Sequence, residues 1–272
     1  MTKKAFLSVL TDNSYLPGLL VLQATLKKVG SRYPLHVLLT SNISRSTILS
    51  LEKKLISYKI LEQKEIKNPT NIDKNHRWFS TYSKLFAFDK GQFDKIVYID
   101  ADTMLLRNID ELFDFRHMSA VNAGGMIPEK SSWTHLNSGL MVIEPSNKLF
   151  KDMISKIGLI EPLQSEGTIT KPKYGSDQDF LNAYYSKWPR KKNLHLDHKY
   201  NIIYYFIDKY CKLFGYTLDK GDRQISVIHF ASYLKPWNIN EANLSELRRD
   251  KDRQVELQSI QLWLDEYKTI SK

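Results

Sequence analysis

Two aspartates separated by one residue close an apolar run in KIVYIDADTMLLRNIDELF, residues 95–113, and this spacing carries the most chemistry in the chain. Ile96, Val97, Tyr98 and Ile99 have the β-branched and aromatic bias of a strand covered on both faces, so Asp100 and Asp102 should emerge at its carboxyl end. Ligands of open α/β sheets bind at that end. Residues i and i+2 of an extended chain point to one side, so both carboxylates can address a single divalent cation and, through it, phosphate. The plain alternative is an acidic turn between strand and helix, which the triplet alone does not exclude. His229, after the apolar run 225–228, offers a third ligand, although one histidine behind a strand is more often structural. Two carboxylates and an imidazole suit a borderline cation, Mn²⁺ with Mg²⁺ as the alternative.

These groups need a scaffold, and the pattern supplies one. Residues 5–10 predict a first strand, and 17–29 a helix whose apolar positions recur at helical spacing. A strand at 35–39, a helix at 44–57 opened by Ser or Asn, and a short strand at 59–62 follow. Alternating strand and helix implies an α/β fold with a parallel sheet of Rossmann type. Residues 64–77 are polar, with Asn68, Pro69, Asn71 and Asn75, and read as a loop that could order over a ligand. A helix over 79–88 feeds the strand before Asp100. Beyond Asp102 short strands at 120–123 and 139–143, around a loop at 124–134, suggest an antiparallel extension. Helices are expected over 150–156, 179–186 and 253–267, and a surface loop over 161–174.

Thr11, Asp12 and Tyr15 come directly after the first strand, where a base can enter the sheet crevice and a ring can stack on it. For Tyr15 the alternative is a cap on the first helix. Arg77 precedes the 79–88 segment and Lys84 lies within it, and basic side chains there can neutralise a diphosphate or hold a hydroxyl; the alternative is a pair of surface cations.

At 272 residues the chain can bury a substantial core as one large α/β domain, or one domain with a substrate lobe. A single cysteine, Cys211, allows no internal disulfide, no run approaches the ~20 apolar residues of a membrane span, and a cytoplasmic location is expected. Net charge is +10, with basic clusters at 187–192 and 248–253, so anionic partners are favoured. Nucleic acid is not expected, because no recognition motif accompanies the dispersed basic residues. Peripheral membrane contact and a homodimer stay open.

Six blocks carry a resemblance to a known family: AFLSVLTDNSYLPGLLVL (5–22), KIVYIDADTMLLRNIDELFD (95–114), HLNSGLMVIEPS (135–146), GSDQDFLNAYYSKW (175–188), KYN (199–201) and VIHFASYLKPWN (227–238). In this order they resemble the family 8 glycosyltransferases, which include the glycogenins and galactinol synthases. The resemblance implies the GT-A fold, a Rossmann-like nucleotide-binding mixed sheet flanked by helices, with smaller acceptor-side elements. It places one domain over 1–272, with a nucleotide-sugar half at 1–123, an acceptor and catalytic half at 124–250 and a C-terminal helix at 251–272. The implied activity is metal-dependent, retaining transfer of a hexose from a UDP-sugar, UDP-glucose or UDP-galactose favoured, to a glycan, glycolipid or glycoprotein. Glycogenin-like self-glucosylation and a silent nucleotide-sugar-binding module are the alternatives.

By this resemblance Tyr15 stacks on uracil, Thr11 contacts base or ribose, and Asp12 stands where glycogenins have asparagine. Arg77, Lys84, Asp100, Ala101, Asn137, Ser138, Ser232 and Lys235 complete the donor site, with Ser232 in place of a common glycine and Arg77 spaced differently. Asp100, Asp102 and His229 hold the metal. Asp177 and Gln178 approach the anomeric carbon, and Lys235 stabilises the departing UDP. Asp177 as a cap of the following helix is the alternative, and the two roles can coexist. The position of the self-glucosylated tyrosine of glycogenins falls on Asp208, with Tyr204, Tyr205 and Tyr210 out of register.

Overall fold

The computed structural model describes residues 3–61, 65–69, 79–89, 91–167, 175–219, 221, 224–232 and 234–271. Arg77 and parts of the loops expected at 64–77 and 161–174 lie outside the described residues. Strands in chain order are β1 Lys4–Leu10, β2 Leu35–Leu39, β3 Ser57–Ile60, β4 Lys95–Ile99, β5 Thr103–Leu105, β6 Ala120–Asn122, β7 Leu136–Ile143, β8 Ile202–Ile203 and β9 Val227–His229. The α-helices are α1 Leu16–Lys28, α2 Arg45–Lys53, α3 Asn147–Lys156, α4 Asp177–Tyr184, α5 Ile207–Phe214, α6 Glu241–Arg249 and α7 Gln254–Ser271. Among the described residues no helix is long and apolar enough to cross a membrane.

The chain forms two compact units. The first comprises Met1–Asn13, Tyr33–Ile99 and Glu111–Leu196. Its sheet has the order β3-β2-β1-β4-β7-β6, parallel from β3 to β4 and antiparallel at β4–β7 and β7–β6. This is the expected parallel sheet with an antiparallel extension. Residues 96–99 of β4 are all buried, as a strand with neighbours on both sides and cover on both faces requires. Leu7, Tyr82, Leu85, Phe88, Tyr98, Met141, Phe180 and Trp188 belong to one core, and the Trp188 indole N–H satisfies itself on the Met118 carbonyl at 2.9 Å.

The second unit comprises Ser14–Arg32, Asp100–Asp110 and Asp197–Lys272. Its sheet, β5-β9-β8, pairs β9 antiparallel to β5 and parallel to β8. Helix α1 packs on β5, where Thr25 Oγ1 accepts the Leu105 N–H at 3.2 Å, and also on α7. Helix α7 is started from a distance, because the Asp208 carboxylate accepts the Val255 and Glu256 N–H groups, each at 2.9 Å.

Several boundaries depart from the sequence reading. The helix expected over 44–57 is α2, which stops at Lys53, and the strand expected at 59–62 begins earlier, at Ser57. Segment 79–88 forms a 3₁₀ helix, Thr81–Phe88, in place of an ordinary helix. The helix expected from 179 begins at Asp177 and is capped by Ser176, whose side chain accepts the Asp179 N–H, so Asp177 is not the cap.

The end of α2 explains the first departure. Leu55 N–H donates to the Glu52 carbonyl and Ile56 N–H to the Leu51 carbonyl, both at 3.0 Å, with Leu55 at φ 54°. This is the same doubly bonded stop that ends α1 at Gly30, φ 71°. Glycine is at ease there, whereas a leucine in this left-handed conformation is strained, and nothing in the sequence announces it. Leu55 is 84% exposed and loses little packing on truncation. Leu55→Gly is expected to stabilise the protein by about 1 kcal/mol in urea unfolding.

Candidate functional site

Asp100 and Asp102 follow β4 in the chain, and the β5–β9 pairing decides what they meet. Thr103 lies opposite His229 in the register, and the Phe230 N–H donates to the Asp102 carbonyl at 2.9 Å, so the histidine arrives beside the aspartates. His229 Nε2 stands 3.2 Å from Asp102 Oδ1 and 3.7 Å from Asp100 Oδ2. Each residue offers one ligand atom, and the three atoms lie within 4.8 Å of one another. At the far side of the ring, His229 Nδ1 donates to Asn201 Oδ1 at 3.0 Å. With Nδ1 engaged there, Nε2 is the ring nitrogen left to face the carboxylates, and it is the one that would bind a metal. Two carboxylates and an imidazole in this arrangement fit a divalent cation.

Lys235 shares the cluster. Its ammonium lies 2.5 Å from Asp102 Oδ2 and 2.8 Å from the Phe230 carbonyl, and 5.4 Å above the ring of Tyr15. Asp102 is 6% exposed and Lys235 7%. Burial alone would raise the Asp102 pKa, but the Lys235 ammonium and the His229 ring outweigh it and hold the carboxyl well below the usual range. Ala101, between the two aspartates, is buried against α1, and Ser232 is half-buried after β9.

A second polar cluster belongs wholly to the first unit. Lys84, on the 3₁₀ helix, reaches Asp177 Oδ2 at 2.9 Å and Ser138 Oγ at 3.0 Å. Ser138 Oγ in turn donates to Asp177 Oδ2 at 2.9 Å. Strand β7 therefore supplies the serine, and the first turn of α4 the aspartate. The Ser138 N–H donates to Gln178 Oε1 at 3.0 Å, while Gln178 Nε2 donates to Ser165 Oγ at 2.8 Å, so both ends of the carboxamide are fixed. Asn137 Oδ1 accepts the Gly139 N–H at 2.8 Å. Asp177 is 5% exposed, and a carboxylate this buried requires the ammonium and hydroxyl that meet it.

Burial pushes the neighbouring Asp179 carboxyl up to about 6 despite the hydrogen bonds from Ser176, and the charge of Asp177 adds to the rise. Between its ordinary value of 3.8 and about 6 the folded protein holds a proton that the unfolded chain has released, so stability falls as pH rises through that window. The loss is up to roughly 3 kcal/mol at 1.36 kcal/mol per pH unit. Asp179→Asn, which keeps the capping oxygen, is expected to flatten this decline in urea unfolding compared at about pH 4 and about pH 7.

The remaining expected site residues divide between the units. Thr11 is half-buried at the end of β1, its carbonyl accepting from Asn42 Nδ2 at 2.9 Å, and Asp12 is exposed beside it, both in the first unit. Tyr15 belongs to the second unit, with Asp100, Asp102, His229 and Lys235. Asn201 and Ser165 went unassigned in the sequence reading. The KYN block contains Asn201, a usable signal, whereas no pattern distinguishes Ser165.

Comparison with known proteins adds to this geometry. Human Glycogenin-1 is 30% identical over 88% of this chain, which spans 63% of that protein's length. An uncharacterized protein of Acanthamoeba polyphaga mimivirus is 28% identical over 99% of this chain and 95% of its own. The crystal structure of the galactosyltransferase LgtC in complex with donor and acceptor sugar analogs superposes with a TM-score of 0.62 at 14% identity, covering 97% of this chain and 95% of LgtC. That likeness is one of fold, the GT-A fold expected from the sequence. The sequence model of glycosyl transferase family 8 matches residues 6–241, so the kinship read from six blocks is membership, and the chain belongs to that family as a glycogenin-like glycosyltransferase.

Proposed function

We propose that this glycosyltransferase is a metal-dependent, retaining hexosyltransferase that takes a UDP-sugar, UDP-glucose or UDP-galactose first, and delivers the hexose to a glycan, glycolipid or glycoprotein. The observation that carries the reading is the convergence of Asp100, Asp102 and His229 from separate parts of the chain onto one small volume. Mn²⁺ held there, with Mg²⁺ as the alternative, would neutralise the donor diphosphate and ease its departure.

The chain's own residues have the remaining roles. Tyr15 stacks on uracil, and Thr11 and Asp12 contact the base or ribose. Arg77, Lys84, Asn137 and Ser138 hold the sugar, while Ala101 and Ser232 line the donor. Lys84 and Ser138, bonded to Asp177 Oδ2, aim that carboxylate, and Ser165 and the Ser138 amide aim Gln178. The bond from the anomeric carbon to UDP breaks, and the acceptor oxygen forms the new bond on the same face. The acceptor's proton passes to the departing phosphate oxygen. Asp177 and Gln178 stabilise the cation-like sugar, and Lys235 meets the charge on the leaving diphosphate. Asp177→Asn is expected to lower transfer about 10²-fold or more while UDP affinity changes by less than about threefold, because its interaction grows in the transition state. Equal losses in both would remove Asp177 from this role.

The test of the whole reading is UDP release from a panel of UDP-sugars with Mn²⁺ or with chelator, followed by intact mass of the protein. Release from one sugar, lost with chelator, supports the reading and names the donor; no release from any donor overturns it. An added hexose mass would indicate self-transfer. Asp208, at the position of the glycogenin acceptor tyrosine, starts α7 through its two backbone hydrogen bonds, whereas the out-of-register Tyr205 is 43% exposed.

A further inference from the structure

Trp237, in the LKPWN block, has no role in the reaction as described, yet it touches Tyr15 and packs at the same glycine of α1 as the turn that carries the aspartates. Its ring meets Tyr15 edge to face, with centroids 5.6 Å apart and planes at 70°. The preferred geometry of two aromatic quadrupoles is of this kind. Behind it, Trp263 of α7 lies 5.5 Å away at 41°, and Tyr267, one turn on, stacks on Trp263 at 5.2 Å and 18°. Trp263 is fully buried, so this backing is firm.

Gly18 gives a second, independent observation. A glycine inside an α-helix is less stable than alanine by about 1 kcal/mol, and α1 carries one near its start. A Cβ at that position would lie 2.8 and 2.9 Å from two ring carbons of Trp237 and 2.5 Å from the Ala101 carbonyl. The glycine is therefore the seat on which Trp237 rests, and the same seat receives the residue between Asp100 and Asp102. All of these residues belong to the second unit.

We propose that Trp237 is a positioning residue for the donor nucleotide: wedged between Gly18 and Trp263, it fixes the plane of Tyr15 on which the base stacks, and so makes α7 part of nucleotide recognition. The inference rests on the donor-site reading above. Without the indole, Tyr15 loses one of the contacts that hold its ring, and the freedom it gains must be lost again on every binding event. Immobilising one such side chain costs about 0.5–1.5 kcal/mol, which is roughly two- to tenfold in affinity.

The experiment is calorimetric titration of UDP in the presence of Mn²⁺, on wild type, Tyr15→Ala, Trp237→Leu, Trp237→Phe and the double variant Tyr15→Ala/Trp237→Leu, with the thermal midpoint of each. Trp237→Leu is expected to weaken UDP roughly two- to tenfold, Trp237→Phe to recover most of that loss, and Trp237→Leu to add nothing once Tyr15 is gone. Donor KM in turnover should rise more than kcat falls. A lower thermal midpoint with unchanged UDP affinity, or an equal loss with and without Tyr15, would overturn the proposal and leave Trp237 a packing residue. If UDP does not bind wild type, the donor reading fails and this inference with it, an outcome distinct from UDP binding that is indifferent to Trp237. Gly18→Ala, which must displace the indole or the Ala101 carbonyl, is expected to weaken UDP in the same direction, and unchanged affinity there would also count against the wedge.

Discussion

Asp102→Asn is expected to abolish the proposed metal-dependent donor turnover, by about 10³-fold or more, while the far-ultraviolet circular dichroism stays that of wild type. Asp102 makes one oxygen available to His229 Nε2 at 3.2 Å and the other to Lys235 at 2.5 Å, so its charge serves two partners. The amide keeps the shape and an accepting oxygen but not the anionic charge that a divalent cation requires. Alanine is the harsher variant. It leaves the buried Lys235 ammonium without its carboxylate, and stranding a buried charge typically costs about 3–5 kcal/mol. The asparagine variant therefore separates chemistry from folding, and near-normal turnover by it would remove the aspartate pair from the mechanism.

Lys235→Met is expected to tighten Mn²⁺ binding to the nucleotide-free protein about tenfold or more, and at the same time to weaken UDP. In the structure the ammonium lies 2.5 Å from Asp102, where it occupies an oxygen that a metal would use. Two unit charges about 4 Å apart repel by roughly 4 kcal/mol at an effective dielectric constant near 20, so removing this cation favours a divalent one on the same carboxylate. Once a diphosphate is present the balance is expected to reverse, because on the proposed reading the lysine then has an anion to meet. Calorimetric titration with Mn²⁺ alone and then with UDP reads both directions. Weaker metal binding by Lys235→Met would show that the lysine supports the cluster and does not compete for it.

The parts of the molecule that sequence revealed are those encoded by local pattern. Residues 96–99 read as a doubly covered strand because all four are apolar, and β4 is that strand. Helix α1 and strands β1 and β2 followed from periodicity in the same way. What escaped is either too short to have a period or depends on distant partners. Strand β5 has three residues and β8 two, below the length at which alternation means anything, yet β5 is what aligns His229 with Asp102. Asn201 takes its function from a ring 28 residues away, and Ser165 from a carboxamide 13 residues away, with no periodic signature in either case. The stop at Leu55 was hidden because a leucine stands where glycine would have marked it. Helices α5 and α6 go beyond the sequence reading, although the Asn240 capping box of α6 is visible once it is sought.

The second unit is assembled from three separated stretches, 14–32, 100–110 and 197–272, whereas the first has all of its chain by Leu196. Synthesis proceeds from the amino terminus, and domains tend to fold as their last segment emerges. On a ribosome the large sheet can close while His229 and Lys235 are still unmade, and Asp100 and Asp102 then wait as bare carboxylates. The proposed cation site would thus be completed late in translation, and a chain interrupted between residues 197 and 228 would carry every strand of the large sheet but lack His229.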